Sequence, residues 1–282
     1  MNMGKKRIYS MAALLVAVAL LMSGCTSKPA ENAKHEKITV SGSTTVLPIA
    51  QAAAEAYMHN HSTADITVSG GGSGAGITAI GQGTVSIGMS SRELKDTEKT
   101  QYPDLVVTTV AKDALIMIVH SSNGVNALNL AAIKGIYNGT ITNWNQVGGA
   151  DLAIVLMGRD SASGTREYFQ EFVMKKQNST SSMLEKNSNG AVKESVAQTP
   201  GAIGYVGLGY TGGNVKSLKL DVNGVQVEGS AASIKDKSYP ASRDLFMITK
   251  GAPTGLAKKY MDYILSPAGQ AIVAQQDFVP LS

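Results

Sequence analysis

Apolar and polar positions along this chain follow two alternating periods. Ile38-Thr39-Val40 predicts a short strand, and from Val46 the residues Ile49, Ala50, Ala53 and Tyr57 fall on one face of a helix. Asp65 to Val68 predicts a second strand. A glycine cluster from Gly70 to Gly76 follows it, and then a short helical stretch to about Ile80. Val85 to Met89 is a third strand, ending in Ser90-Ser91-Arg92. Val106–Val110 and Ala114–Val119 are two apolar, β-branched runs, the second long enough to cross between domains. Ala153–Met157, Ala202–Val206 and Leu245–Thr249 are further strands, and Phe169, Phe172 and Val173 stripe the helix after the first of these. Leu256, Tyr260, Tyr263 and Ile264 share a C-terminal helix face, and Pro267 marks another helix start. Strands alternating with helices predict an α/β fold with mainly parallel sheets.

The first residues break this pattern. Lys5, Lys6 and Arg7 precede an unbroken apolar run from Met11 to Met22, followed by Ser23-Gly24-Cys25. A basic start, a short apolar segment and small residues at its end read as a secretory signal over residues 1–24. The run is too short to span about 30 Å of hydrocarbon as a helix. Thr26 to Lys37 is polar, carries Pro29 and reads as a tether over residues 25–37.

Charge sharpens the picture. The chain has 25 Lys+Arg against 21 Asp+Glu, a net of +4, and Lys5, Lys6 and Arg7 supply three of those charges. The remainder is near neutral, which argues against a nucleic-acid partner. With Cys25 the single cysteine, neither an intramolecular disulfide nor a multi-thiolate metal site is available. The exported portion is long enough for two domains. Outside the cytosol there is no ATP or NAD pool, which disfavours nucleotide chemistry.

Four strand ends run into hydroxyl-rich or glycine-rich turns: Ser41–Thr45, Ser69–Gly74, Ser90–Arg92 and Arg159–Thr165. Ligands of open α/β sheets bind beyond the carboxyl ends of strands, where helix N-termini offer free N–H groups. Glycines allow close backbone approach, and Ser and Thr hydroxyls rotate to suit an oxygen ligand. Several such turns with one arginine fork describe a pocket for a small tetrahedral oxyanion. Each turn alone is an ordinary helix cap.

Other motifs are weaker. Gly74–Ala79 formally matches the dinucleotide fingerprint, no phosphate-binding GxxxxGK[ST] loop exists, and Gly71–Ala75 misses the hydrolase elbow at its last residue. His35, His59, His61 and His120 are read as tether, helix-end and strand-end residues rather than ligands or bases. The methionines beside apolar segments, such as Met89 and Met157, are core filler.

Two resemblances extend this reading. Leu21-Met22-Ser23-Gly24-Cys25 resembles the lipobox of bacterial lipoproteins, with Met22 where leucine is usual. It implies a Cys25 diacylated at the new N-terminus. From Ile38 onward the chain resembles the phosphate-binding proteins of bacterial phosphate ABC importers. The landmarks are SGSTTVLP at 41–48, GGGSGAGI at 70–77, IGMSSREL at 87–94, IYNGTITNW at 136–144, RDSASGTRE at 159–167 and PGAIGYV at 200–206.

The resemblance implies a two-domain type II periplasmic-binding-protein clamshell with hinge crossover strands near 111–118 and 240–246. Domain I would comprise 38–116 plus 242–282, and domain II 117–241. Phosphate would be held by Thr44, the backbone of Thr45, Ser73, Arg159, Ser163, Gly164 and Thr165. The family's proton-accepting aspartate aligns with Ser91, and a second aspartate that braces the arginine aligns with Ser161, next to Asp160. The implied protein is a monomeric, non-enzymatic receptor without cofactor or metal, lipid-anchored on the extracytoplasmic face of the cell membrane. It would pass inorganic phosphate to an ABC permease. Sulfate or molybdate as cargo, or an exported phosphate-ester hydrolase, are the alternatives.

Overall fold

The computed structural model describes residues 35–281, so the signal segment, Cys25 and most of the tether lie outside the described residues. Strands are β1 (Glu36–Gly42), β2 (Ala64–Ser69), β3 (Ile87–Ser90), β4 (Leu105–His120), β5 (Ala127–Asn129), β6 (Val155–Arg159), β7 (Leu184–Lys186), β8 (Ala202–Gly207), β9 (Val215–Ser217), β10 (Lys219–Val222), β11 (Val225–Val227) and β12 (Ser242–Lys250). Helices are α1 (Leu47–Asn60), α2 (Ser73–Gly81), α3 (Asp96–Gln101), α4 (Leu130–Tyr137), α5 (Gly164–Phe172), α6 (Asn189–Gln198), α7 (Ala231–Lys235), α8 (Gly255–Leu265) and α9 (Pro267–Gln275). Strand β1 begins two residues earlier than its apolar run, because Glu36 and Lys37 pair with Ala64 and Asp65 of β2.

The periodic faces are the buried ones. Ile49, Ala50, Ala53 and Tyr57 of α1 are buried, as are Leu256, Tyr260 and Ile264 of α8, and Pro267 sits in the first turn of α9. Together with β1, β3 and the flanking ends of β4 and β12 they form one hydrophobic core. A second core gathers Ala114–Val119, Tyr137, Trp144, Met157, Phe169, Val192 and Tyr205. Phe169 and Tyr205 stack there with ring centroids 4.2 Å apart.

Strand β4 corrects the expectation of two separate runs. It is one 16-residue strand, whose Val110 and Ala111 lie in the first core and whose Ala114–Val119 lie in the second. The polar pair Lys112-Asp113 does not interrupt it. The Lys112 side chain turns out to an ion pair with Asp244 at 3.0 Å, and Asp113 finds a buried partner. Strand β12 returns antiparallel beside β4, with Arg243 opposite Asp113.

That return also corrects the expected strand direction. β1 pairs parallel with β2 and β3, and β6 with β7 and β8. β12, however, is antiparallel to both β3 and β4, and β4 is antiparallel to β8. The chain leaves the first core along β4 and comes back along β12, so neighbours at the crossing run in opposite senses. The sheet is therefore mixed. The hairpin β10–β11 has no counterpart in the sequence reading, although its signal is plain: Asn223 and Gly224 both take positive φ (53° and 86°) between short apolar-alternating strands.

Candidate functional site

The predicted residues sit at carboxyl ends of strands and first turns of helices. Thr44 and Thr45 link β1 to α1, Ser73 opens α2, Ser91 follows β3, Arg159 ends β6, and Ser163, Gly164 and Thr165 begin α5. All are buried, and Ser73, Ser91, Arg159, Ser163 and Thr165 are at most 1% exposed. Buried polar groups of this density need partners, and the partners come from opposite cores. Thr45 Oγ1 lies 3.0 Å from Thr165 Oγ1. The Gly74 N–H donates to the Ala162 carbonyl at 3.0 Å. Ser73 Oγ accepts the Ser91 N–H at 3.0 Å and lies 3.3 Å from Ser91 Oγ.

Glycine is required where the two sides meet. A Cβ at Gly164 would lie 2.3 Å from Ser73 Oγ, and one at Gly72, whose φ is +94°, would lie 2.5 Å from the Ala162 carbonyl oxygen. The glycine motif that formally matches a dinucleotide loop thus packs against the α5 turn.

Local hydrogen bonds set the orientation of each hydroxyl. Ser163 caps α5 by accepting the Arg166 N–H at 3.2 Å. Ser43 accepts the Thr45 N–H at 3.1 Å, so the Thr45 backbone donor is engaged by the turn and its hydroxyl faces α5. Arg159 donates from Nε to the Lys186 carbonyl and from Nη2 to the Asn187 carbonyl, each at 3.2 Å. Burial lowers its guanidinium below the ordinary arginine range, and Asp160 partly offsets this. Burial likewise pushes the Tyr205 phenol, which accepts the Arg159 N–H, up to about 12.

Three site residues escaped the sequence reading. Asn189, fully buried at the start of α6, donates from Nδ2 to Thr44 Oγ1 at 3.1 Å and to Thr45 Oγ1 at 3.0 Å. Asp113, also fully buried, accepts from Nε and Nη2 of Arg243 at 2.9 and 2.8 Å and from the Leu208 N–H at 2.8 Å. Arg243 then reaches Thr165 Oγ1 at 3.0 Å from Nη2. Asn189 follows a serine and precedes a glycine, which reads as a routine helix start. Asp113 and Arg243 each stand beside an opposite charge, Lys112 and Asp244, so each dipeptide reads as a solvated break and hides the buried pair.

The neighbouring charges sort differently. Arg92 turns away from Ser91 and holds both Glu98 carboxylate oxygens at 2.7 Å, with its Nε 2.5 Å from Glu167 but not aligned to donate. Burial pulls the Arg92 guanidinium down, but Glu98 and Glu167 outweigh this and hold it above its ordinary value. Glu93 is exposed, while Asp160 Oδ1 is buried without a hydrogen-bond partner. Among the described residues no group of histidine, cysteine or acidic side chains could hold a metal, and no helix is long and apolar enough to cross a membrane. His61 stacks on Tyr57 at 4.0 Å between centroids, and His120 pairs with Ser122.

Two cores linked by the crossover strands β4 and β12, with buried hydroxyls and helix starts meeting between them, define a type II periplasmic-binding-protein fold. Comparison with known proteins agrees. The PBP superfamily domain model matches residues 27–268. The phosphate-binding protein PstS of Bacillus subtilis is 35% identical, over 96% of this chain and 91% of the relative. A crystal structure from Clostridium perfringens, described as a phosphate ABC transporter substrate-binding protein with bound phosphate, superposes with a TM-score of 0.82. It is 36% identical and covers 88% of this chain and 100% of its own. An ABC-type phosphate transport receptor from Vibrio cholerae gives a TM-score of 0.70 at 30% identity, over 86% of this chain and 99% of that one. The chain belongs to the PBP superfamily and, within it, to the phosphate-binding proteins of ABC importers.

Proposed function

We propose that this protein is the extracytoplasmic receptor of a phosphate ABC importer. It captures inorganic phosphate between its two cores and releases it to a membrane permease. The observation that carries the reading is that buried hydroxyls from both cores meet, Thr45 with Thr165 directly and Thr44 and Thr45 through Asn189, while Arg159 lies buried at the end of β6 just before the α5 turn. Guanidinium and hydroxyl donors suit an oxyanion, and relatives at 35–36% identity are described as phosphate-binding. Ser91 supplies the acceptor for the proton of hydrogen phosphate. The lobes are 38–116 plus 242–282 and 117–241, hinged where β4 and β12 cross at Asp113 and Arg243. Ligand contacting both lobes favours the closed arrangement, since only differential affinity shifts such an equilibrium.

Equilibrium titration of the purified protein with phosphate, sulfate and molybdate tests the reading. Saturable phosphate binding in preference to the other two is expected, with no release of phosphate from a phosphomonoester. Preference for sulfate or molybdate would reassign the cargo, and turnover of an ester would replace the receptor with an enzyme.

Anchoring rests on the lone Cys25 after Ser23-Gly24. Two acyl chains on this residue give stable membrane attachment where one does not, and the receptor then acts as a tethered monomer. Cys25→Ser is expected to release the protein or leave an unprocessed precursor in cell fractionation. Mature Cys25→Ser protein still sedimenting with membranes would overturn the anchor.

A further inference from the structure

A pocket for an anion that carries few protons must present hydroxyls as donors, yet a hydroxyl donates and accepts with equal ease. Its direction is settled by whatever else it touches. In this site each recognition hydroxyl except that of Ser91 meets a group that donates only. Thr44 Oγ1 accepts from Asn189 Nδ2 at 3.1 Å and from the Asn189 backbone N–H at 3.4 Å, which occupies both its lone pairs. Thr45 Oγ1 accepts from Asn189 Nδ2, and Thr165 Oγ1 from Arg243 Nη2, each at 3.0 Å. Ser73 and Ser163 accept backbone N–H groups from Ser91 and Arg166.

The orientation of the Asn189 amide is not arbitrary. Its Oδ1 faces the Gly207 N–H at 3.3 Å, and a backbone N–H cannot accept, so Nδ2 must point to the threonines. Arg243 is equally fixed. Asp113 holds its Nε and Nη2. The Tyr168 ring lies 5.4 Å from its guanidinium carbon, and Tyr168 itself is tied to the Ser242 carbonyl at 2.7 Å. The Thr45–Thr165 pair carries two protons and its mutual bond uses one, so at least one points outward. Thr44, with both lone pairs filled, has no other choice.

We infer that Asn189 and Arg243 are positioning residues that set the direction of the hydroxyl protons of Thr44, Thr45 and Thr165, turning a neutral hydroxyl cluster into a donor array selective for the less protonated oxyanion. Neither needs to touch the ligand. Both sit where the lobes meet, so the array is assembled only in the closed arrangement. The inference rests on the phosphate reading above.

Asn189→Asp tests it with minimal change in shape. The carboxylate accepts where the amide donated, so the threonine protons turn inward. Phosphate dissociation constants of the wild-type protein and the variant are measured by calorimetry from about pH 8 to about pH 4, close to the ordinary aspartate value of about 3.9 where the carboxylate begins to regain its proton. At the alkaline end the variant is expected to bind roughly tenfold or more weakly, the scale of a lost hydrogen bond to a charged ligand. A protonated Asp donates again, so the ratio of the two constants should narrow toward acid pH, which a purely structural defect would not produce. A ratio within twofold throughout, or a large ratio constant with pH, overturns the inference.

If thermal melting shows Asn189→Asp unfolded, Arg243→Lys carries the test, because it keeps the charge beside Asp113 but loses the fork to Thr165. Its effect on phosphate affinity should largely vanish in a Thr165→Val background, and additive effects overturn the inference. A wild-type protein that binds no phosphate overturns the phosphate reading and this inference with it. Wild-type binding with an unaltered Asn189→Asp overturns the inference alone.

Discussion

Arg159 and Arg243 are both buried, but their charges are handled in opposite ways. Arg243 is neutralised by a carboxylate on its fork, Asp113. Arg159 instead donates to the carbonyls of Lys186 and Asn187, which brace the guanidinium without cancelling its charge. A braced, uncancelled guanidinium is what an anion between the lobes requires, and lysine reproduces neither the bracing nor the fork. Arg159→Lys is therefore expected to cost about 1.5–3 kcal/mol in phosphate affinity, read by calorimetric titration of the folded variant. Ser91 is the contrasting case, because no N–H occupies its hydroxyl and Oγ remains free to accept from Ser73 or from ligand. Ser91→Ala should weaken phosphate, which has a proton to donate, more than sulfate, which has none. An unchanged phosphate-to-sulfate ratio would shift the acceptor role to Asp160, whose Oδ1 is buried and unpartnered. At this scale the sequence made the buried hydroxyl-rich turns legible, because Ser, Thr and Gly cluster there. The supporting residues were not legible. Asn189 looks like any helix start, and the pairing of Asp113 with Arg243 joins positions 130 residues apart.

Glycines govern how closely the elements approach. Gly72 takes a φ of +94° just before α2, and its missing side chain makes room for the Ala162 carbonyl of the turn before α5. Alanine there would meet that oxygen only when the two sides are together, in addition to a local backbone strain present at all times. Overpacking of this kind typically costs about 1–3 kcal/mol. Gly72→Ala should thus lower the melting temperature of the free protein slightly and reduce the rise produced by phosphate much more, as seen in paired melts with and without ligand. A full ligand-induced rise would show that the lobes close without the Gly74–Ala162 contact. Helix faces such as that of α1 were readable from period alone, since one hydrophobic stripe suffices to bury them. Strand direction was not, because β12 sits between β3 and β4 for reasons of chain path. Nor was the unity of β4, because Lys112-Asp113 looks like a break until Asp244 and Arg243 supply the partners.

If the proposed lobes close on phosphate, charges outside the proposed pocket are engaged as well. Glu167, in the first turn of α5, pairs with Arg92 at 2.5 Å and with Lys95 at 3.0 Å, both of which lie between β3 and α3 on the opposite side. These partners separate if the lobes open, while Arg92 keeps its two bonds to Glu98 in either arrangement. On the proposed receptor reading, the Glu167 pairings would stabilise the closed form alone and add to apparent ligand affinity. The Arg92 and Glu167 side chains are 8% and 21% exposed, so the pair is more shielded than most surface ion pairs, which contribute about 0.2–1 kcal/mol. Glu167→Gln removes the charge, keeps the shape and leaves Arg92 partnered. It is expected to weaken phosphate binding roughly two- to fivefold, the upper part of that range. Salt separates this effect from a packing defect, because added ions screen charge but do not repair a cavity. At about 1 M salt the Debye length falls to about 3 Å, and the difference between wild type and Glu167→Gln should narrow as the more exposed Lys95 contact is screened. Titrations of both proteins at low and high salt decide the matter. A difference that persists undiminished at high salt would mean that Glu167 acts through packing of α5, and that the lobes close without help from this ion pair.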